Sequence, residues 1–340
     1  MIMNKSNKLS QLLNKRHVFV GEGYLFALEK MGYCQIGPYV PMACLTAPDN
    51  VKQLSQSFVD CGSDTVLAFT YYGHRTKMDV IGQGDLTYEL NNRAMVIAKD
   101  IALKNNKMLA GGVSNSTIWD NSPEIAEKVE KDLREQIDIF SKYGVDYIIG
   151  ETFNSLNEAK LALKIIQEYN LESVITFAPD SRGMTIENIT LEDACLQLAQ
   201  IGATCVGLNC WNGPSTMLDT LDKIIKKLRS NNLTTHVAGL PVGYNTTNEH
   251  PTIQQLTDRN IIYMDLEKHT CTRYDASEFA KKASEIGVKY LGTCCGFQPY
   301  HLRSMVEELG YTCNSSNYSP NVSKHFSKIS NNIQKDACFK

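Results

Sequence analysis

The chain has 340 residues, and 43% of them are hydrophobic, which is enough for one large domain or two ordinary ones. Its formal charge of −3, without a dense run of Lys and Arg, argues against nucleic acid or an anionic membrane surface as the main partner. Because no apolar run approaches the ~20 residues that cross a bilayer, we expect a small-molecule ligand and no membrane partner.

The first residues of the chain, 1–16, are polar and contain no hydrophobic signal core. Eleven cysteines could form an extracellular disulfide framework, but their odd number and the length of the chain argue against one. Thiols that stay reduced are typical of the cytosol. We therefore predict a cytoplasmic protein.

Eight short β-branched runs alternate with amphipathic segments along the chain. The predicted strands are Val18–Val20, Thr65–Phe69, Met108–Ala110, Asp146–Ile149, Val174–Phe177, Cys205–Leu208, His236–Gly239 and Lys289–Gly292. The predicted helices include Glu124–Tyr143, Asn157–Tyr169, Leu191–Ile201, Thr216–Arg229 and Ala276–Gly287, several of them preceded by Ser, Thr or Asp as N-caps. This pattern predicts an α/β fold, a single-domain (β/α)8 TIM barrel, with a doubly wound open sheet as the alternative.

Two regions depart from the alternation. Residues 241–274 have no clean period and contain Gly243, Asn245 and Pro251, so we expect a long irregular insertion before the last βα unit. After Gly310 the sequence is rich in Ser and Asn. We predict that residues 1–310 form the barrel and that residues 311–340 form a short, flexible tail.

Polar and reactive side chains follow most of the predicted strands. In a (β/α)8 barrel the functional residues lie at the carboxyl ends of the strands, which meet at one mouth. The residues at these positions are Glu22, Tyr71, Tyr72, Gly112, Ser114, Glu151, Cys210, Cys294 and Cys295. We expect them to converge there, although they are far apart in sequence.

Three of these residues are cysteines with the character of metal ligands. Cys294 and Cys295 are adjacent, and a disulfide between sequence neighbours is strained, whereas adjacent thiols suit a metal. Together with Cys210 they offer three sulfur ligands, which leaves the fourth position of a tetrahedral zinc open for a substrate. The alternative is that all three are buried core thiols, a common fate of cysteine.

The same residues carry a family resemblance. Gly207-Leu208-Asn209-Cys210 with Gly292-Thr293-Cys294-Cys295-Gly296 resembles the zinc signature of the homocysteine S-methyltransferase family, and the betaine–homocysteine methyltransferases look most similar. Other matching stretches begin at Phe26, Gly37, Ala110, Gly150 and Gly296, so the resemblance extends from near the N-terminus to about Leu309. It implies a homocysteine-binding barrel that uses Zn²⁺ and transfers a methyl group from betaine to the homocysteine thiolate, giving methionine and dimethylglycine.

The resemblance also implies roles for the homocysteine-binding residues. Glu151 matches the glutamate that binds the amino group of homocysteine, although a charge after a strand can also simply be exposed. Glu22 stands where the family usually has aspartate. Gly112, Val113 and Ser114 belong to a small-residue stretch that we expect to form a turn, whose backbone amides receive the substrate carboxylate.

For the methyl donor, Tyr39 and Tyr72 look like the aromatic positions that hold a quaternary ammonium through cation–π contacts. Either tyrosine could instead serve only in packing. Thr152 stands where a third aromatic residue is expected, and Tyr71 or Phe153 are candidates to replace that wall. An incomplete aromatic cage also admits a sulfonium donor, such as S-methylmethionine or dimethylsulfoniopropionate.

Two other functions remain open from the sequence. The homocysteine module of a cobalamin-dependent methionine synthase shares the zinc signature, but that enzyme needs folate and cobalamin modules for which 340 residues leave no room. The alternative from another functional class is a non-catalytic zinc protein that senses oxidation through its cysteines. The sequence leaves the oligomeric state undetermined.

Overall fold

The computed structural model describes residues 7–35, 37, 39–257, 266–321 and 323. Eight parallel strands close into a barrel in sequence order. They are β1 Val18–Gly21, β2 Thr65–Leu67, β3 Met108–Ser114, β4 Tyr147–Phe153, β5 Glu172–Phe177, β6 Cys205–Asn209, β7 His236–Leu240 and β8 Tyr290–Thr293. The barrel prediction is confirmed, and the doubly wound alternative is wrong because β8 pairs with β1.

Twelve α-helices lie within the described residues and surround the barrel. They are α1 Lys8–Lys15, α2 Tyr24–Lys30, α3 Ala43–Thr46, α4 Pro48–Asp60, α5 Arg75–Val80, α6 Thr87–Asn105, α7 Pro123–Lys142, α8 Leu156–Glu168, α9 Leu191–Gln200, α10 Pro214–Ser230, α11 Arg273–Ile286 and α12 Pro299–Glu308. Four begin as the sequence suggests, since the side chains of Ser122, Ser155, Thr190 and Thr272 accept hydrogen bonds from the first turn of α7, α8, α9 and α11.

The interior of the barrel is filled with side chains. The hydroxyls of Tyr147 and Tyr290 are 3.0 Å apart, and Tyr147 also donates to Thr65 Oγ1 at 2.9 Å. At the N-terminal end of the barrel, Leu9 of α1 packs against this interior cluster, and the carboxylate of Glu172 accepts a hydrogen bond from its backbone N–H at 2.9 Å. Because the interior is packed and α1 covers that end, a substrate must bind at the carboxyl ends of the strands.

The region before the last βα unit is irregular, as predicted. Its described parts, residues 241–257 and 266–272, contain two short 3-10 turns, Ile253–Gln255 and Leu266–His269, and one isolated bridge between Tyr244 and Thr270. The rest of that insertion, residues 258–265, lies outside the described residues, as does most of the predicted tail. The domain boundary at residue 310 stays a prediction.

None of the helices in the described ranges is long and apolar enough to cross a bilayer.

Candidate active site

A cavity of about 340 Å³ opens at the carboxyl ends of the strands. Its wall includes Glu22, Tyr71, Glu151, Cys210 and Cys294, which follow or end five different strands. The predicted convergence of these residues on one mouth is therefore observed. A cavity of this volume suits one or two small molecules and not a polymer.

The three candidate metal ligands form one cluster in this cavity. The Sγ atoms of Cys210, Cys294 and Cys295 all lie within 4.8 Å of one another, and those of Cys210 and Cys295 are 3.8 Å apart. Backbone hydrogen bonds fix both sides of the cluster, since Cys210 N donates to Leu240 O at 2.9 Å and Cys294 N donates to Pro241 O at 3.0 Å. Cys210 and Cys294 are buried and Cys295 is half-buried, as core thiols also are, so the metal site stays a prediction.

The three thiols also share protons. Hydrogen bonds from Cys294 and Cys295 lower the pKa of Cys210, because they stabilise its thiolate. The same hydrogen bonds to Cys210 are the main cause that raises the pKa of Cys294 and of Cys295. A bound cation would allow all three to be thiolates at once, because its positive charge offsets their mutual repulsion.

Backbone strain is concentrated around the cavity. Tyr39, Tyr72, Thr152, Cys210 and Trp211 have φ angles of 62°, 53°, 63°, 59° and 53°, and all five line the cavity. A positive φ is uncommon for residues other than glycine, and for a β-branched residue such as Thr152 it is a genuine outlier. Such strain typically accompanies binding and catalytic sites.

Two carboxylates are buried beside the sulfur cluster. The exposed fractions of Glu22 and Glu151 are 3% and 7%, so the alternative of an exposed charge at Glu151 is wrong. Within the described part of the chain, neither carboxylate oxygen of Glu22 has a hydrogen-bond partner. Burial, then the negative charge of neighbouring groups, raises the pKa of Glu22 and raises that of Glu151 to about 8. These shifts favour the neutral carboxyl groups, and a bound cation would favour their charged forms.

Asn209, the last residue of β6, connects Glu151 to the strand ends. Its Nδ2 donates to Glu151 Oε2 at 3.3 Å and to Thr152 Oγ1 at 2.9 Å. Its Oδ1 accepts hydrogen bonds from Thr152 N at 2.8 Å and from Thr176 Oγ1 at 2.9 Å. The amide therefore holds Glu151 in place and supports the strained backbone at Thr152.

Aromatic rings form the outer part of the cavity. The rings of Tyr39 and Tyr72 meet edge to face, with centroids 6.4 Å apart, and the ring centroids of Tyr71 and Tyr72 are 4.2 Å apart. Tyr71 lines the cavity, whereas Phe153 is fully buried in β4. Of the two candidates to replace the third wall, Tyr71 is the one that reaches the site.

The prediction of a turn at Gly112, Val113 and Ser114 is wrong. The three residues continue β3 and pair with Ile149, Gly150 and Glu151 of β4. None of them lines the cavity, and Ser114 Oγ instead accepts a hydrogen bond from Tyr72 N at 3.2 Å. Two glycines in sequence suggested a turn, but here small residues allow close packing, since a Cβ on Gly111 would meet the Phe140 ring at 2.5 Å.

Comparison with known proteins agrees with this site. The profile of the homocysteine S-methyltransferase family matches residues 25–309. This chain belongs to the homocysteine S-methyltransferase family. Betaine–homocysteine S-methyltransferase 1 of Bos taurus is 31% identical over 313 residues, which are 90% of this chain and 75% of the relative. S-methylmethionine–homocysteine S-methyltransferase of Pongo abelii is 31% identical over 298 residues, 87% of this chain and 80% of the relative.

Solved structures show the same fold. The metallated homocysteine methyltransferase MmuM of Escherichia coli aligns with a TM-score of 0.66 at 13% identity, over 87% of this chain and 98% of that one. The carboxyl transferase domain of Rhizobium etli pyruvate carboxylase aligns with a TM-score of 0.53 at 12% identity, over 91% of this chain and 46% of that one.

The homocysteine S-methyltransferase cavity includes residues that the sequence did not single out. Trp211 and Gln254 come from the segments after β6 and β7, Phe26 from α2, and Lys77 from α5. They lie in helices and loops, where the rule about strand ends gives no signal. Lys77 is half-buried, and its Nζ lies 4.7 Å from the centroid of the Tyr72 ring.

Proposed function

We propose that this homocysteine S-methyltransferase binds zinc through Cys210, Cys294 and Cys295 and methylates the homocysteine sulfur from betaine or a related onium donor. The observation that carries the proposal is the cluster of three sulfur atoms within 4.8 Å, in the same cavity as two buried carboxylates. The names of the bovine and Pongo relatives, which specify betaine and S-methylmethionine, support this donor class.

The donor set fits zinc. Thiolates are preferred ligands of Zn²⁺, and three protein ligands are typical of a catalytic site with one open position. Zinc in this position would supply a Lewis acid at which a substrate thiol loses its proton. A free thiol with a pKa of ~8.5 is only about 3% ionised near pH 7, so full ionisation gains roughly 30-fold, or about 2 kcal/mol.

The two carboxylates are suited to the ammonium group of homocysteine. Glu151 is oriented by Asn209, and Glu22 presents a buried carboxylate that has no hydrogen-bond partner among the described residues. An ammonium placed between them would satisfy both charges and direct the substrate sulfur toward the cysteines. The proposed roles of Gly112, Val113 and Ser114 in binding the substrate carboxylate remain predictions, and Ser114 at least fixes the backbone of Tyr72.

The donor would occupy the aromatic end of the cavity. Its positively charged nitrogen or sulfur would contact the Tyr39 and Tyr72 faces, each of which contributes roughly 0.5–2 kcal/mol to cation binding. The homocysteine sulfur then forms the new S–CH₃ bond, while the donor nitrogen keeps the electron pair of the broken bond and leaves as dimethylglycine. Holding the two substrates in line can supply ~7–11 kcal/mol of the barrier reduction.

Two alternatives make different predictions. A sulfonium donor would use the same aromatic faces, and the relative from Pongo abelii, named for S-methylmethionine, favours it. A zinc or redox-sensing protein would bind metal without transferring a methyl group. The cysteine cluster shares its cavity with two buried carboxyl groups, which favours an enzyme because a sensor needs no ammonium site.

The test is a methyl-transfer assay with homocysteine and a panel of donors that contains betaine, S-methylmethionine and dimethylsulfoniopropionate. We expect methionine from at least one donor, and no turnover by Cys294→Ala. Wild-type protein that binds zinc but forms methionine from none of these donors would favour the sensing function.

A further inference from the structure

The cavity contains an unusual cation. Among the described residues of its wall, Lys77 is the sole basic side chain, whereas Glu22, Glu151 and the three cysteines are acidic groups. Its Nζ lies 4.7 Å from the centroid of the Tyr72 ring, which also lines the cavity. Lys77 therefore lies where we place the methyl donor.

No described carboxylate neutralises Lys77. Desolvation alone shifts the pKa of Lys77, and it lowers that pKa. No acidic partner in the described chain raises the pKa again. Surface lysines of the same barrel differ, since Lys30 pairs with Glu267 at 2.6 Å and Lys104 with Asp100 at 2.9 Å. A partly desolvated ammonium without a counter-ion in a substrate cavity is suited to an anionic group of a ligand.

On the basis of the proposed function, we propose that Lys77 moves its ammonium off the Tyr72 ring to bind the carboxylate of the methyl donor, so that the Tyr72 and Tyr39 rings contact the onium group of the donor. The donor class is then a zwitterion in which a short linker separates an onium centre from a carboxylate. Betaine and dimethylsulfoniopropionate both have this form. Lys77 would be a residue that determines donor specificity, not one that takes part in bond making.

The negative groups of the cavity support this choice of ligand. Glu22, Glu151 and the three cysteines repel a carboxylate when they are ionised, and among the described residues of the wall only Lys77 attracts it. An onium donor without a carboxylate would instead meet the uncompensated charge of Lys77. The same residue would thus favour zwitterionic donors and disfavour simple cations such as choline.

The experiment compares Lys77→Met, which keeps the length of the side chain without its charge, with Lys77→Arg, which keeps the charge. Lys30→Met is the matched control, since that ammonium also lies over a tyrosine ring, Tyr244, but has its own carboxylate partner outside the cavity wall. Readouts are the KM and kcat for betaine and dimethylsulfoniopropionate, the affinity for choline and trimethylsulfonium as competitors, the affinity for homocysteine, and zinc content.

We expect Lys77→Met to raise the KM for both zwitterions about tenfold or more, as loss of a hydrogen bond to a charged group does. Choline and trimethylsulfonium should bind as well as before or better, and homocysteine affinity and zinc content should not change. Lys77→Arg should retain most of the affinity for the zwitterions, and Lys30→Met should resemble the wild type.

Several outcomes would overturn the inference. Equal losses for zwitterions and simple cations would mean that Lys77 only packs against Tyr72, and a loss of homocysteine affinity would assign it to the other substrate. An unchanged or lower KM for betaine would also contradict it. A wild-type protein without methyl transfer from any donor would instead refute the proposed function, so the two failures are distinguishable.

Discussion

At the scale of single residues, the site is defined by buried charges that the protein itself leaves unpaired. Glu22 is the clearest case, because both of its oxygens are buried without a hydrogen-bond partner in the described chain. Leaving such a group unsatisfied costs free energy of folding. We interpret this cost as the consequence of keeping Glu22 available to bind the ammonium group of homocysteine.

The first prediction concerns these carboxylates. Glu151→Gln should weaken homocysteine binding about tenfold or more, because the charged partner of the ammonium is lost while the shape is kept. Zinc content should not change, since the three cysteines remain. Calorimetric titration with homocysteine gives the affinity, and Glu22→Gln should show a similar loss. Normal affinity in both variants would exclude this pair as the amino-group site.

A second prediction tests the donor site at Thr152. Thr152→Tyr should improve betaine affinity by about tenfold, because a third aromatic face adds ~1.4 kcal/mol of cation–π contact. The change also removes the Thr152 Oγ1 atom to which Asn209 donates a hydrogen bond. Thr152→Val is the matched control, since it removes that hydroxyl without adding a ring. Betaine binding that is equal in the two variants would place the donor elsewhere.

At the scale of elements, a short turn contacts the backbone of one of the proposed zinc ligands, Cys294. Gly23 precedes α2 with φ of 93°, and a Cβ at this position would lie 2.6 Å from the backbone oxygen of Cys294. Gly32, after the same helix, has φ of 82° and nothing within 4 Å of such a Cβ. The two glycines therefore share a backbone conformation but differ in their surroundings.

A third prediction follows from this pair. Both Gly23→Ala and Gly32→Ala should pay about 1–2 kcal/mol for the left-handed backbone. Only Gly23→Ala should also displace Cys294, and it should weaken zinc retention against a chelator about tenfold or more, as changes to residues that support metal ligands do. Equal zinc retention in the two variants would show that the β1–α2 turn does not support the site.

The start of α12 gives a fourth prediction, on pH. His301 accepts a hydrogen bond from Gln298 N and is 3.1 Å from Cys271 O, to which its other nitrogen donates when the ring is neutral. Burial lowers its pKa from 6.5 to about 4. Because protonation favours the unfolded chain, the contribution of His301 to stability is present above pH ~6.5 and is lost as the pH falls toward ~4.

The measurement is chemical unfolding of the wild type and of His301→Ala at pH 7 and pH 4.5. The destabilisation caused by the substitution should be about 2 kcal/mol smaller at pH 4.5 than at pH 7. A difference that does not depend on pH would mean that His301 is not held neutral.

The order of the elements was predictable because it depends on local patterns. Each of the eight strand runs contains buried residues of an observed strand, and Ser122 and Thr190 cap the helices that follow them. The lengths were not predictable in the same way. Pairing with β4 extends β3 to Ser114, and this tertiary interaction overrides the turn that two adjacent glycines suggest.

The site was predictable to the extent that it lies at strand ends. Cys210, Cys294, Cys295 and Glu151 follow that rule and converge as expected. The position of Lys77 was not predictable, because it depends on how the short helix α5 turns back over Tyr72. No periodicity or strand end marks this residue in the sequence.

At the scale of the whole molecule, closure of the barrel brings Glu22 and Cys210 into one cavity, although they are 188 positions apart in the sequence. The packed interior and α1 leave the mouth as the place for chemistry. The sulfur cluster and the two carboxylates share that cavity with the Tyr39 and Tyr72 rings and with Lys77. One cavity thus contains groups suited to both substrates of a methyl transfer.

The most direct test of this account is zinc X-ray absorption on the protein without and with homocysteine. We predict about one zinc per chain, with three sulfur neighbours at ~2.3 Å in the free protein and a fourth when homocysteine is added. An unchanged sulfur count on adding homocysteine, or a metal-free protein that still forms methionine, would contradict it.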